Sequence, residues 1–160
     1  MVMKGGNALA YRFATAFGLS QRMRLDLLPN DFTFQAIKNG ALIVYEKEFR
    51  RTFIHIRDLV DSYLFGLENF EKVQDEIYNV GSEKMNYTKE DIAHMIKEQK
   101  DYNLIFSGKG FTDPDKRDYE VSYDKIRKKG FETKISMEKG IAELVKGYEM
   151  INIRKKYSNA

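Results

Sequence analysis

The chain has 160 residues, 42% hydrophobic and 32% charged, with two prolines and no cysteine. This excludes disorder, a fibrous repeat, disulfides, thiolate nucleophiles and cysteine-based zinc sites, and it leaves enough chain for one α/β domain with a real core. The net charge of +3 is small and spread along the chain, no apolar run approaches the roughly 18 residues of a membrane span, and Met-Val-Met-Lys-Gly-Gly makes no signal peptide, so a cytoplasmic protein with no membrane partner is expected.

Leu9 to Phe13 is short and rich in aromatic and aliphatic side chains before a turn at Gly18, which predicts a strand and loop over residues 9–18. No earlier segment supplies a strand for it to pair with, and this first suggests that a neighbouring part of the sheet is absent. Pro29-Asn30-Asp31 opens a helix with a plausible cap, and Asn39-Gly40 closes it. Strands are predicted at Ala41 to Tyr45 and Phe53 to Ile56, followed by a helix from about Asp58 to Asn69 with Leu59, Tyr63, Leu64 and Leu67 on one face. Ile77 to Gly81 reads as a strand, Thr88 with Asp91 as a capping box opening a helix, and Leu104 to Phe106 as a short strand. A polar loop with Gly108, Gly110 and Pro114 leads to helical turns at Asp124 to Lys129, closed by Gly130. Ser136 caps a last helix carrying Ile141, Leu144, Val145, Tyr148 and Ile151, and the run Arg154 to Tyr157 reads as its solvated end.

Chemistry is sparse in this order of elements. The two histidines, His55 and His94, have no evident catalytic partner; His55 fits a structural hydrogen bond and His94 a surface position. No metal-ligand spacing and no glycine-rich phosphate loop is present, so no catalytic residue and no metal ligand is assigned. What remains is a set of arginines, Arg12, Arg22, Arg24, Arg50, Arg51 and Arg117, whose planar forks suit phosphate oxygens but equally suit a charged surface.

Four stretches in order are similar to motifs of one family. Tyr11-Arg12-Phe13-Ala14-Thr15-Ala16-Phe17-Gly18 resembles an R-x-x-N/T-x-x-G segment, and Arg51 to Asp58 resembles R-x-F/Y-I-H-V-x-D. Tyr78-Asn79-Val80-Gly81 with Thr88 and Ile92-Ala93 resembles Y-N-V-G…T…I-A, and Arg117 to Ser122 with Lys125-Ile126 resembles R-x-Y-x-V-S…K-I. Together they identify the chain, over residues 9 to about 145, as resembling the extended short-chain dehydrogenase/reductases, the NAD-dependent epimerases and dehydratases of nucleotide-diphospho-sugars.

The resemblance implies the C-terminal substrate-binding portion of an extended Rossmann-type fold, with residues 1–160 as a single substrate-binding domain whose stretch 9–18 would join a Rossmann sheet. The family's N-terminal dinucleotide-binding half, with its G-x-x-G-x-x-G loop and Y-x-x-x-K pair, is not in this sequence. The family works with NAD(P), yet none is expected to bind this chain alone, and independent catalysis is not expected either. Residue by residue, the resemblance puts Thr15 against the sugar diphosphate and Asn30 at the phosphates. It puts Ile43 and Tyr45 at the base, Arg51 on the diphosphate, and Arg117 and Tyr119 at the phosphate and ribose. Phe13 and Ala16 would line the nicotinamide side. The partner is then a nucleotide-diphospho-sugar, with a Rossmann-half polypeptide or self-association as a further possibility. A basic nucleic-acid module would have only the pI of 8.9 and the run Arg154 to Lys156 behind it, so nucleic acid is not an expected partner. An apolar surface around Phe13 and Phe17 is expected to make the chain sticky.

Overall fold

The computed structural model describes residues 5–107 and 118–150. Arg117, the loop with Gly108, Gly110 and Pro114, Ile151, and the run Arg154 to Tyr157 lie outside the described residues.

The elements follow the predicted order. Strands β1 (Leu9–Phe13) and β2 (Thr15–Phe17) precede helix α1 (Leu28–Asn39), strand β3 (Ala41–Val44) and strand β4 (Arg50–His55). Helix α2 (Ile56–Glu68) and the single turn α3 (Phe70–Val73) lead to β5 (Glu76–Val80), a 3-10 turn at Glu83–Met85 and β6 (Asn86–Thr88). Helix α4 (Lys89–Gln99), β7 (Asn103–Phe106), the short α5 (Asp124–Arg127) and α6 (Met137–Met150) complete the described chain.

The strands form three small sheets. β1 pairs with β5 in parallel, β2, β4 and β6 form a mixed sheet centred on β4, and β3 pairs with β7 in parallel. Parallel pairs need crossovers, and the helices supply them, which is why the sequence alternates between period-two and period-3.6 patterns. Thr15–Phe17 was expected as loop; the chain instead leaves β5 after Ala14 and continues as a strand along Phe53 to His55. Its other side settles the first expectation about β1: that strand finds its partner later in the chain, and among the described residues its outer edge carries no strand.

Two cores lie on opposite faces of the β2-β4-β6 sheet. Phe17 and Phe53 join Leu42, Val44, Ile92, Ile96, Met137, Ile141 and Tyr148 in the larger one. Ile54 joins Tyr78, Val80, Tyr123, Ile126 and Phe131 in the other, with Ala16 packed against it. The alternation along β4, with side chains at 53 and 54 going to different cores, is the two-residue period of a strand buried on both faces. Phe17 is therefore core and not the sticky surface expected of it.

Helix boundaries follow local chemistry. Thr88 and Asp91 close a reciprocal capping box on α4, as predicted, and Gly40 ends α1 in the left-handed region at φ 65°. α1 differs at its start: Leu27 is the N-cap with no side-chain cap bond, and Pro29 sits inside the first turn where its missing N–H costs nothing. α2 lies over β1 through Ser62 and Gly66; a Cβ at Gly66 would come within 2.4 Å of the Tyr11 hydroxyl oxygen, and that hydroxyl donates to the Ser62 carbonyl at 3.0 Å.

Candidate functional site

The sheet face that looks into the larger core also gathers several of the predicted ligand residues. Thr15 stands opposite Phe53 on β4, and Arg51 is two positions before Phe53, so period-two alternation puts Thr15 and Arg51 on one face. Arg51 is opposite Tyr87 on β6. The Arg51 side chain is only 4% exposed, and its Nη1 donates to the Arg50 carbonyl at 2.8 Å. A guanidinium held this far inside keeps its fork in a fixed direction, which is what bidentate recognition of phosphate requires.

Tyr45 follows β3 directly, half-buried, and the β3–β4 connection is strapped to the start of α4. Lys89 N–H donates to the Phe49 carbonyl at 3.2 Å and Glu90 N–H to the Lys47 carbonyl at 3.0 Å, while the Lys47 ammonium meets the Glu90 carboxylate at 2.7 Å. Ile43 is 46% exposed and is registered with Ile105 on β7, itself half exposed, so the pair forms an apolar surface beside Tyr45. Ile105 was not singled out from sequence, because a lone isoleucine in a short strand reads as core.

Tyr119 is exposed on a segment docked at the head of β4: the Asp118 carboxylate accepts from Arg50 N–H at 2.9 Å, and Glu120 pairs with the Arg50 guanidinium. Tyr119 is thus brought to the same end of β4 as Arg51. Arg117 lies outside the described residues.

Asn30 is not on that surface. It is buried inside α1's first turn, its side-chain oxygen accepts from Gly18 N–H at 3.0 Å, and its amide donates to the Arg24 carbonyl at 3.1 Å. These bonds make it a brace that fixes the turn after β2, and the backbone carbonyl of Asn30 also accepts from Tyr148. The segment from Ser20 to Asp26 belongs to the same brace: Met23 and Leu25 are buried, and Arg24 and Asp26 pair at the surface.

Phe13 and Ala16 turn to the second core. The Phe13 ring lies 5.6 Å from Tyr11 and 5.4 Å from Tyr63, in edge and tilted geometry. They form an apolar wall packed against that core. His55 and Asp58 behave structurally. His55 caps α2 through Nδ1, and the buried Asp58 carboxylate accepts from the N–H groups of Lys134 and Ile135 at 2.9 and 3.0 Å. His94 is on the surface, as expected.

A cleft of about 650 Å³ lies elsewhere, between the 81–87 turn and the 131–136 loop. Glu83, at its edge, is pushed up by burial and pulled further down by Tyr123 N–H and Arg127, so it stays ionised more readily than a free glutamate. None of the predicted ligand residues among the described residues lines this cleft.

No family model matches the chain. Its fold, however, matches solved structures. The chain superposes on RMD from Pseudomonas aeruginosa, solved with NADPH, with a TM-score of 0.75 at 15% identity over 93% of this chain and 50% of that one. A UDP-glucuronic acid 4-epimerase from Bacillus cereus gives 0.73 at 18% identity, covering 89% of this chain and 45% of the other. UDP-glucose 4-epimerase from Thermotoga maritima gives 0.71 at 21%, covering 89% and 46%. The chain spans about half the length of these enzymes. It has the partial extended short-chain dehydrogenase/reductase fold that its motifs implied, and at these identities the likeness is one of fold.

Proposed function

We propose that the chain grips a nucleotide-diphospho-sugar, as the substrate-binding part of an NAD-dependent epimerase or dehydratase, and that it turns over no substrate alone. The observation that carries this reading is Arg51: a buried guanidinium at the head of β4, on one sheet face with Thr15 and at one end with Tyr119. Its support is a fold shared with enzymes whose names include UDP-glucose and UDP-glucuronic acid epimerases. Ile43 and Tyr45 give the base an apolar bed, and Arg51 takes the diphosphate with charge-assisted bonds. Phe13 and Ala16 would face a nicotinamide supplied by other residues, and hydride chemistry at the sugar is what that group provides when bound.

Calorimetric titration with UDP-, GDP-, CDP- and dTDP-sugars, alongside NAD, tests the reading. One nucleotide class should bind, NAD should not, and Arg51→Ala should weaken binding by about 10- to 100-fold, the range for losing hydrogen bonds to a charged group. Absence of binding to every nucleotide-sugar would overturn it.

A second reading has its own support. The outer edge of β1 carries no strand among the described residues, so a cofactor-binding α/β polypeptide could extend that sheet in trans. On that reading, amide exchange along β1 slows sharply when such a polypeptide is added.

A further inference from the structure

Backbone direction along β1 is fixed by its two ends. The Ala8 carbonyl accepts from Asp75 N–H at 2.6 Å, and Ala14 N–H donates to the Val80 carbonyl at 3.0 Å, so the even-numbered residues turn their peptide groups toward β5. Peptide groups alternate sides along a strand, and Leu9, Tyr11 and Phe13 therefore aim their N–H and C=O groups at the outer edge. No strand meets that edge among the described residues. The usual devices that blunt a free edge are not found in Leu9 to Phe13: it has no proline, its register with β5 runs without a bulge, and its one charge, Arg12, stands on the sheet face opposite Tyr11 and Phe13.

Helix α2 supplies an apolar flank to the same edge. Gly66 and Tyr63 lie toward β1, where a Cβ on Gly66 would meet Tyr11 and Leu9 and where the Tyr63 ring stacks on Tyr11 and Phe13. Asp61 and Phe65 lie on the other side of the helix, against Lys134 and Phe131. Leu67, one turn on from Tyr63, continues the flank on the β1 side, and the two side chains are 52 and 75% exposed.

We propose that β1 pairs with β1 of a second copy of this chain, antiparallel about a two-fold axis through Tyr11. Tyr11 then exchanges both backbone hydrogen bonds with the partner's Tyr11, and Leu9 does so with the partner's Phe13, which turns two two-stranded sheets into one of four strands. A second copy suits this edge because the edge is self-complementary: the outward peptide groups are spaced symmetrically about Tyr11, and the flank beside them is apolar. The two-fold puts both α2 helices on one face of the joined sheet, where Tyr63 and Leu67 of each copy cover the junction. The pairing takes the edge that a cofactor-binding polypeptide would extend, so the two assemblies exclude each other. Register adds a charge rule: Arg12 falls opposite the partner's Ala10 and one diagonal, about 7–8 Å, from the partner's Arg12.

The test follows the full chain by sedimentation and by residue-resolved amide exchange as concentration rises through the micromolar range. The amides of Leu9, Tyr11 and Phe13 should slow by about tenfold or more as the dimer forms, while those of Ala10 and Arg12, already bonded to β5, stay slow at every concentration. An equimolar mixture of wild type and Arg12→Glu should give more mixed dimer in native mass spectrometry than random pairing yields, since only the mixed pair sets opposite charges on the diagonal. Arg12 is exposed, so this substitution leaves both cores alone. A chain that stays monomeric, or one that dimerises while the amides of Leu9, Tyr11 and Phe13 still exchange fast, overturns the proposal, and random mixing overturns the register. If those three amides are slow even in dilute monomer, the chain covers its own edge and the proposal fails. Protection that comes only with an added cofactor-binding α/β polypeptide also overturns it, and sustains the assembly in trans instead.

Discussion

His55 caps α2 from a fully buried position: Nδ1 accepts from Arg57 N–H at 3.3 Å, while Nε2 has no hydrogen-bond partner and stands 3.7 Å from the Glu143 carboxylate. Burial lowers its pKa, with Glu143 working the other way and Arg57 adding to the depression. A histidine depressed in the folded state resists a proton that the unfolded chain accepts near pH 6.5, so its contribution is complete above that pH and is lost as pH falls toward the folded value. The melting temperature should therefore drop between pH 7 and 5, each kcal/mol appearing as about 2–4 °C. His55→Asn keeps a capping side chain without the titration and should flatten that slope in thermal melts. Asp58 is a second buried brace at the same end of α2: Asp58→Ala strands the N–H groups of Lys134 and Ile135, a loss of about 2–4 kcal/mol in denaturant unfolding, where Asp61→Ala at the surface should cost less than about 1 kcal/mol. The sequence marked His55 for a structural hydrogen bond, and the bonds to Lys134 and Ile135 add Asp58 to that role. What the sequence does not encode is the wall around His55, where a Cβ on Gly18 would meet Nε2 at 2.9 Å.

At the scale of elements, periodicity carried α2, α4 and α6 and the strands at β1, β3, β5 and β7, because each pairs a clear apolar pattern with a clear stop. β2 and β6 escaped because three residues are too few to show a period, and both exist through β4 alone. The buried Lys89 and the buried Asn30 escaped for a related reason: polar residues beside a helix start read as caps or solvated charge, and only the tertiary strap turns them inward. Helix α6 shows the same dependence in its glycines. A Cβ at Gly140 would meet the ring of the core residue Phe17 at 2.4 Å and the buried His55 at 3.1 Å, whereas at Gly147 its three nearest neighbours would all be side-chain atoms of the half-exposed Leu19. Gly140→Ala should cost about 1–3 kcal/mol despite alanine's better helix propensity, while Gly147→Ala should be near neutral or stabilising by a few tenths. Urea unfolding of the two variants, made on the same helix, separates packing from propensity; equal effects would mean that Phe17 yields.

At the scale of the whole molecule, the outer face of α2 is an apolar surface that neither core uses. α2 turns Asp58, Ser62 and Gly66 inward and leaves Val60, Tyr63, Leu64 and Leu67 at 50 to 75% exposure. Tyr63 reaches back to stack on Tyr11 and Phe13, so this face is continuous with the flank of β1, whose outer edge carries no strand among the described residues. The stickiness that the sequence assigned to Phe13 and Phe17 is thus moved about one helix away: the motif identified the right edge of the molecule, but Phe17 is consumed by the core and the exposed area comes from the α2 face. Four large apolar side chains on adjacent turns beside a bare strand edge bring together the two features that drive association. The chain should therefore self-associate as concentration rises through the micromolar range, and more so as salt weakens charge repulsion. Leu64→Glu with Leu67→Glu places two carboxylates on the patch without touching either core, so the double variant should sediment as a monomer at concentrations where the parent does not, with unchanged melting temperature and unchanged nucleotide titration. A parent that stays monomeric throughout would show that the α2 face is too small to drive contact by itself; a variant that still associates would move the contact to the edge of β1.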